Sequence, residues 1–438
     1  MSRSNSAGVD GIATRVEALG YRSLRHISQD LGPFHVLVGP NASGKSTFLD
    51  VVAFLGDLLR FGLEDAIAGD PSRGIPLRAT DAKHLTWMRQ GHRFELALEM
   101  AIPAERRDRL KNGGFPVCRY EVAVDVSGPL RLIGETLWLK PAPASTRAAV
   151  PAQRALFPQP PSPPESIVHP PRKRTPAGWK KVVSRGEEPE RVMFLSETSG
   201  WNNPFRIGAD KSALASLPAD EERFPVATWF RETLEVGVQR ILLSSEDMHR
   251  PSPPGRPRAY LPDGSNLPHV VHALESEHRD RHASWVDHVR EALPDVQGIT
   301  TREREEDRHR YLVLRYASGL EAPSWLVSDG TLRLLALTLL AYLPDPRGLY
   351  LIEEPENGIH PRAVETVLQS LSSVYGAQVL LATHSPLVAS LAELGQILCF
   401  ARTQEGATDI VAGPEHPRLR EWKGGVDLGT LLASGVLG

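Results

Sequence analysis

The chain has 438 residues, 41% hydrophobic and 24% charged, which fits a folded globular protein larger than one ordinary core and excludes a disordered or fibrous chain. With 50 basic and 53 acidic residues the net charge is -3, so there is no global attraction to nucleic acid or to an anionic membrane, and any DNA contact needs a local patch. Two cysteines far apart (Cys118 and Cys399), a polar stretch at 1–12 and no apolar run long enough to span a bilayer predict a cytoplasmic protein without leader or membrane segment.

Residues 13–60 read as strands, a phosphate loop and a helix. Phe34-His35-Val36-Leu37-Val38 is an apolar β-type run. Gly39-Pro40-Asn41-Ala42-Ser43-Gly44-Lys45-Ser46 follows it and fits G-x-x-x-x-G-K-[ST], and Thr47-Phe48-Leu49-Asp50-Val51-Val52 continues as helix. The glycines let the backbone curl so that its N–H groups face phosphate oxygens, and the helix N-terminus adds partial positive charge. ATP is the expected ligand, held by Gly39 to Thr47, with Lys45 at the β- and γ-phosphates and Ser46 on Mg²⁺.

Residues 94–101, 119–126 and 130–139 carry alternating or β-rich patterns and are predicted strands. Gln90, just before the first, is a candidate Mg²⁺ contact and equally a surface glutamine. Arg22 either lies near the nucleotide or caps a strand pair. Residues 141–176 are dense in proline, as in Pro158-Gln159-Pro160-Pro161-Ser162-Pro163-Pro164, which removes backbone donors and fixes φ. The expectation is an extended, mobile loop with a basic end at Arg172-Lys173-Arg174 and Lys180-Lys181. Residues 205–300 are predicted mostly helical, interrupted at 251–257, and 329–402 alternate helix and strand like the second half of an α/β sheet domain. The predicted division is an N-terminal lobe at 1–140, a Pro-rich insertion at 141–200, a mainly helical insertion at 201–300 and a C-terminal lobe at 301–438.

Gly348-Leu349-Tyr350-Leu351-Ile352-Glu353-Glu354-Pro355 is an apolar strand ending in two carboxylates. Beside a phosphate loop, the first acid holds the Mg²⁺ water shell and the second orients or deprotonates the attacking water. Glu353 takes the first role, one methylene longer than the usual Asp, and Glu354 the catalytic one. A second apolar strand, Val379-Leu380-Leu381-Ala382-Thr383-His384-Ser385-Pro386, ends at His384. Ser328-Asp329-Gly330-Thr331 opens a helix, so that Ser328 and the Gly330 backbone present donors to an anion.

Taken in order, the phosphate loop, Leu326-Val327-Ser328-Asp329-Gly330-Thr331, Glu353-Glu354-Pro355-Glu356-Asn357-Gly358 with His360-Pro361, and Thr383-His384-Ser385-Pro386 resemble the ABC-class ATPases of the bacterial RecF/SMC-like "AAA family". Tyr21-Arg22-Ser23-Leu24 and Asp263-Gly264-Ser265-Asn266-Leu267 are also similar to that group, and the resemblance spans roughly 13–140 and 235–438. It implies an α/β fold, an ABC-type P-loop ATPase head of mixed sheet flanked by helices, with a helical and Pro-rich insertion. It further implies that Ser328 and Gly330 contact the γ-phosphate of ATP bound to a second subunit. His384 is then the switch histidine, which contacts the γ-phosphate and senses hydrolysis, and Glu356-Asn357-Gly358-Ile359-His360-Pro361 the D-loop that crosses the dimer interface.

The expected protein is an ATP-hydrolysing homodimer or larger homo-oligomer that regulates a separate effector in anti-phage defence. In this group the overcoming-lysogenization-defect nucleases carry a Toprim nuclease on the same chain. Here about 54 residues follow His384, without a DxD cluster, so a nuclease is expected only on a separate partner. The alternatives are a DNA-repair ATPase acting directly on DNA, with salt-steep DNA stimulation, and an ATP-dependent scaffold that hydrolyses slowly or not at all, consistent with Glu353. A transporter ATPase fits worse, because the span from Ser46 to Ser328 is far longer than a compact helical subdomain.

Overall fold

The computed structural model describes residues 13–70, 73–111, 113–141, 163–169, 175–186, 188–420 and 428–434. The strands in chain order are β1 (Ala13–Tyr21), β2 (Leu24–Asp30), β3 (Phe34–Val38), β4 (Arg93–Ala101), β5 (Val117–Asp125), β6 (Arg131–Lys140), β7 (Lys180–Arg185), β8 (Arg191–Leu195) and β9 (Asn202–Arg206). They continue as β10 (Val238–Ile241), β11 (Val296–Glu303), β12 (Arg310–Tyr316), β13 (Glu321–Pro323), β14 (Gly348–Glu353), β15 (Ala377–Thr383), β16 (Ile397–Arg402) and β17 (Thr408–Ala412). The fold is α/β, in two compact units. The first comprises Met1–Gly32, Thr47–Val238 and Arg402–Ile410, and the second Pro33–Ser46, Gln239–Ala401 and Val411–Gly438.

The first unit is organised by an eight-stranded sheet in the order β2-β1-β4-β5-β6-β7-β8-β9, antiparallel at its pairings. One packing cluster joins Tyr21, Phe54 and Phe94, with ring centroids 5.0 to 6.1 Å apart. Gly56 on the helix Lys45–Phe61 meets the helix Pro225–Gly237 closely, since a Cβ there would lie 2.7 Å from Leu234 O. Glu95, Glu99, Arg119 and Glu121 of β4 and β5 are buried. Arg119 neutralises three carboxylates, those of Glu17, Glu99 and Glu121, at 2.5 to 3.0 Å. The remaining oxygens accept hydrogen bonds from residues 163–169: Ser166 Oγ and Ile167 N bond Glu95, and His169 N bonds Glu121. Buried charge is tolerated because every carboxylate is paired or hydrogen-bonded.

That strap is the described part of the Pro-rich stretch. Residues 142–162 and 170–174, including Arg172-Lys173-Arg174, lie outside the described residues. Lys180-Lys181, expected in a loop, instead opens β7, and two more strands follow. The lysine stems account for the difference: Lys140 and Lys181 lie over the Trp179 and Trp138 rings, so charged ends sit on aromatic faces while the backbone pairs.

The second unit is built on the six-stranded order β10-β14-β15-β3-β16-β17. The pairs β14–β15, β15–β3 and β3–β16 are parallel. All five residues of β3 and all seven of β15 are buried, as expected of parallel strands covered on both faces. The region expected to be mostly helical holds the helices Pro225–Gly237, Ser245–His249, Leu267–Glu277 and Arg279–Ala292, but also β9, β10 and the start of β11. Strand β10 joins the edge of the parallel sheet, and β11-β12-β13 form an antiparallel meander that leads into the helix Asp329–Leu339. Buried Trp285 packs in this unit's core, its Nε1–H donating to Thr338 Oγ1 at 3.0 Å. No helix among the described residues is long and apolar enough to cross a membrane.

Candidate functional site

Central strand β3 ends at the phosphate loop, and the loop's conformation follows from three residues. A Cβ on Gly39 would lie 2.2 Å from Phe400 O, so only glycine lets the loop leave the sheet beside β16. Ala42 and Gly44 have φ of 62° and 105°, the left-handed curl that turns successive N–H groups to one side. The helix Lys45–Phe61 then begins with no acidic residue in its first turn, leaving its positive end uncompensated by its own side chains. Lys45 is buried, its Nζ donating to Gly39 O at 2.7 Å and Pro40 O at 2.9 Å. Burial lowers the Lys45 ammonium from its usual range, and the Glu354 and Glu353 carboxylates oppose that.

The acidic strand meets this loop. Ser46 Oγ donates to Glu353 Oε2, and Arg240 on β10 lies 3.4 Å from Glu353 Oε1. The next residue, Glu354, has φ 48°, a left-handed conformation costly for a side-chain-bearing residue. Its N–H is held by Ala382 O at 2.8 Å, and its Oε2 lies 2.6 Å from His384 Nδ1. Adjacent parallel strands β14 and β15, in register at Glu353–Ala382, thus deliver Glu353, Glu354 and His384 to one end of the sheet. Glu356 completes the cluster: Thr383 Oγ1–H donates to it at 2.5 Å, and burial together with the neighbouring Glu354 carboxylate pushes its pKa up to about 7.

Ser328 caps the helix Asp329–Leu339, its Oγ accepting from Thr331 N at 3.3 Å. Gly330 is pressed on the loop after Glu354, since a Cβ there would lie 2.3 Å from Gly358 O. Among the described residues, the side-chain hydrogen bonds of Ser328 both go to Thr331, and none joins this turn to the phosphate loop. Of the other predicted residues, Arg22 donates to Arg78 O at 3.0 Å and pairs with buried Asp50 at 3.3 Å. Gln90 is exposed at the end of the turn Trp87–Arg89. Both belong to the first unit.

The donor set fits a magnesium nucleotide. Ser43 is fully buried inside the loop, and its hydroxyl has no hydrogen-bond partner, as expected of a group that faces a ligand. Ser46 and Glu353 offer the hard oxygen donors that Mg²⁺ prefers. Sequence reasoning missed Arg240, because a lone arginine in the short strand Val238–Ile241 carries no motif; strand order alone brings it to Glu353. It placed Glu356 by motif without foreseeing its bond to Thr383.

No curated protein matches the chain. Among solved structures it is similar to the Smc head bound to the C-winged helix domain of ScpA (12% identity, TM-score 0.49, covering 91% of this chain and 97% of that one). It is also similar to the Pyrococcus furiosus Smc head domain with an extended coiled coil bound to the C-terminal domain of ScpA (13%, 0.47, 92% and 96%). A third is the SMC head domain from Thermotoga maritima (12%, 0.40, 91% and 98%). Residues 34–86 and 150–390, which include the phosphate loop, the capped helix, the acidic strand and His384, match the family described as "AAA domain, putative AbiEii toxin, Type IV TA system", and the chain is a P-loop ATPase belonging to that family.

Proposed function

We propose that this chain binds and hydrolyses ATP, and that two copies pair so that Ser328 of one completes the site on the other. The carrying observation is the junction at the end of β14: Ser46 is bonded to Glu353, and the strained Glu354 is held by His384. The loop N–H groups and Lys45 bind and orient the triphosphate, and Glu353 and Ser46 hold the metal. Mg²⁺ supplies neutralisation of the phosphate charge when bound. Glu354 takes the proton of the attacking water, and His384 fixes the direction of its carboxylate. The pairing rests on Ser328, which caps its own helix, bonds only Thr331 through its side chain among the described residues, and offers helix-terminal donors that suit the γ-phosphate of a second copy. The paired state operates a separate effector, and the toxin system in the family description favours a toxic effector of the kind used in anti-phage defence.

Light scattering of Glu354→Gln with and without MgATP tests this reading. The amide keeps nucleotide binding and blocks proton uptake, so the mass doubles only with MgATP and phosphate release falls by about a hundred-fold or more. A variant that hydrolyses ATP at the parent rate removes Glu354 from the chemistry. One that stays monomeric with MgATP overturns self-pairing.

A further inference from the structure

His249 closes the short helix Ser245–His249, whose preceding residue Met248 is fully buried. Gly264, at φ 73°, lets its turn approach Met248 closely, because a Cβ there would lie 2.9 Å from Met248 Sδ. From this anchored position the His249 ring lies between two backbone carbonyls. Nδ1 is 2.7 Å from Ser245 O and Nε2 is 2.9 Å from Val327 O, with Asp329 Oδ1 a further 3.5 Å from Nε2. A carbonyl oxygen only accepts, so the bond to Val327 O is made when Nε2 carries a proton, and both carbonyls are bonded at once only when both ring nitrogens do. A second bond ties the same two segments, Ser324 Oγ–H to His249 O at 3.1 Å.

Val327 O and Ser328 N–H belong to one planar peptide unit. Holding the carbonyl on one side fixes the direction of the N–H on the other, and with it the start of the helix Asp329–Leu339. Between the two tie points Leu326 is exposed, while the Trp325 ring lies 4.9 Å from that of Tyr311 and beneath Arg304. We propose that His249 is a positioning residue that sets the Ser328 donor group for the γ-phosphate of the opposite copy. This rests on the reading that Ser328 acts on nucleotide bound to a second copy. His249 itself touches no nucleotide; it acts through Val327.

Full-length His249→Phe and His249→Gln, with Ser328→Arg as reference, test the assignment by steady-state ATP turnover and by fluorescent ATP-analogue binding, which reports the phosphate loop. Phe fills the ring's space without a donor, and kcat falls about ten-fold or more with nucleotide affinity within about two-fold. Gln restores one N–H toward Val327 O and recovers turnover to within about three-fold. If Ser328→Arg is inactive while His249→Phe turns over at the parent rate, the positioning role is overturned and the two-copy reading stands. If Gln is as damaged as Phe, or affinity falls together with kcat, the hydrogen bond is not the cause and the inference is overturned. If Ser328→Arg itself hydrolyses at the parent rate, the two-copy reading fails, and the inference fails with it.

Discussion

Replacing Gly330 by alanine is a one-methyl perturbation whose effect can be worked from the packing. The added Cβ would sit 2.3 Å from Gly358 O, 3.4 Å from its carbonyl carbon and 3.6 Å from Ile359 Cα. Ordinary contact begins near 3.4 Å, so about 1 Å must be found. The obstacle is backbone, and Gly358 already sits at φ 77°, so its loop has little freedom to yield. The start of the helix Asp329–Leu339 must therefore move, taking Ser328 with it, while Glu354 and Glu356 lie at the start of the opposing loop. Overpacking costs about 1–3 kcal/mol, and alanine in place of glycine in a helix returns about 1 kcal/mol, so the net loss is about 0–2 kcal/mol. A displacement of about 1 Å in a positioned donor costs roughly a hundred-fold in rate. Gly330→Ala should thus fold with a modest drop in melting temperature, bind a fluorescent ATP analogue normally, and lose about two orders of magnitude in kcat. Turnover within about three-fold of the parent, in a protein of near-parent melting temperature, would show that this close approach does not set the reacting geometry.

Arg240→Ala removes a cation 3.4 Å from Glu353 and leaves that carboxylate more available to metal. Both groups are more than a quarter exposed, so the change is about 1 kcal/mol, and the Mg²⁺ concentration for half-maximal turnover should fall several-fold; a rise would refute it. Glu197 is buried with its oxygens accepting from Val226 N and Ala227 N, and burial, opposed by those bonds, pushes its pKa up to about 7. A folded-state pKa above the unfolded one means the native state binds the proton more tightly. Its contribution is therefore fully present below about pH 4.5 and is lost as pH rises toward 7, by about 3 kcal/mol. Glu197→Gln should flatten that part of the stability–pH curve in urea titrations, and an unchanged slope would contradict the assignment.

What could be read from the chain depended on whether a residue's neighbours are close in sequence. Phe34 to Ser46 and Gly348 to Glu354 were legible because an apolar run, a turn and a helix or acidic end follow one another without interruption. Strands β7 to β9 were not, because proline dominates the approach to them and Lys180-Lys181 reads as solvated loop until the Trp138 ring is seen beneath Lys181. The burial of the β4 and β5 charges by Arg119 and the strap at 163–169 leaves no pattern in the sequence. Arg240 and His249 owe their places to strand order and to a turn fixed by Gly264, neither of which leaves a local pattern. Ser328, Glu353, Glu354 and His384 could be named as candidates from motif order, whereas the strain at Glu354 and the proton-binding character of Glu356 emerged only from three dimensions.

The sheet order also dictates when during synthesis the phosphate loop can take shape. Strand β3 leaves the ribosome early, yet its hydrogen-bonded neighbours are β15, through pairs such as Phe34–Val379, and β16, through pairs such as Val36–Ile397. Until those segments emerge, the five residues from Phe34 to Val38, four of them apolar, have no sheet to enter, and the carbonyl of Phe400 that packs against Gly39 does not exist. Parallel pairing over such a separation is slow and leaves a sticky segment waiting. Nucleotide binding therefore waits on the emergence of β15 and β16, and ATP offers little ligand stabilisation to a product stalled or truncated before them.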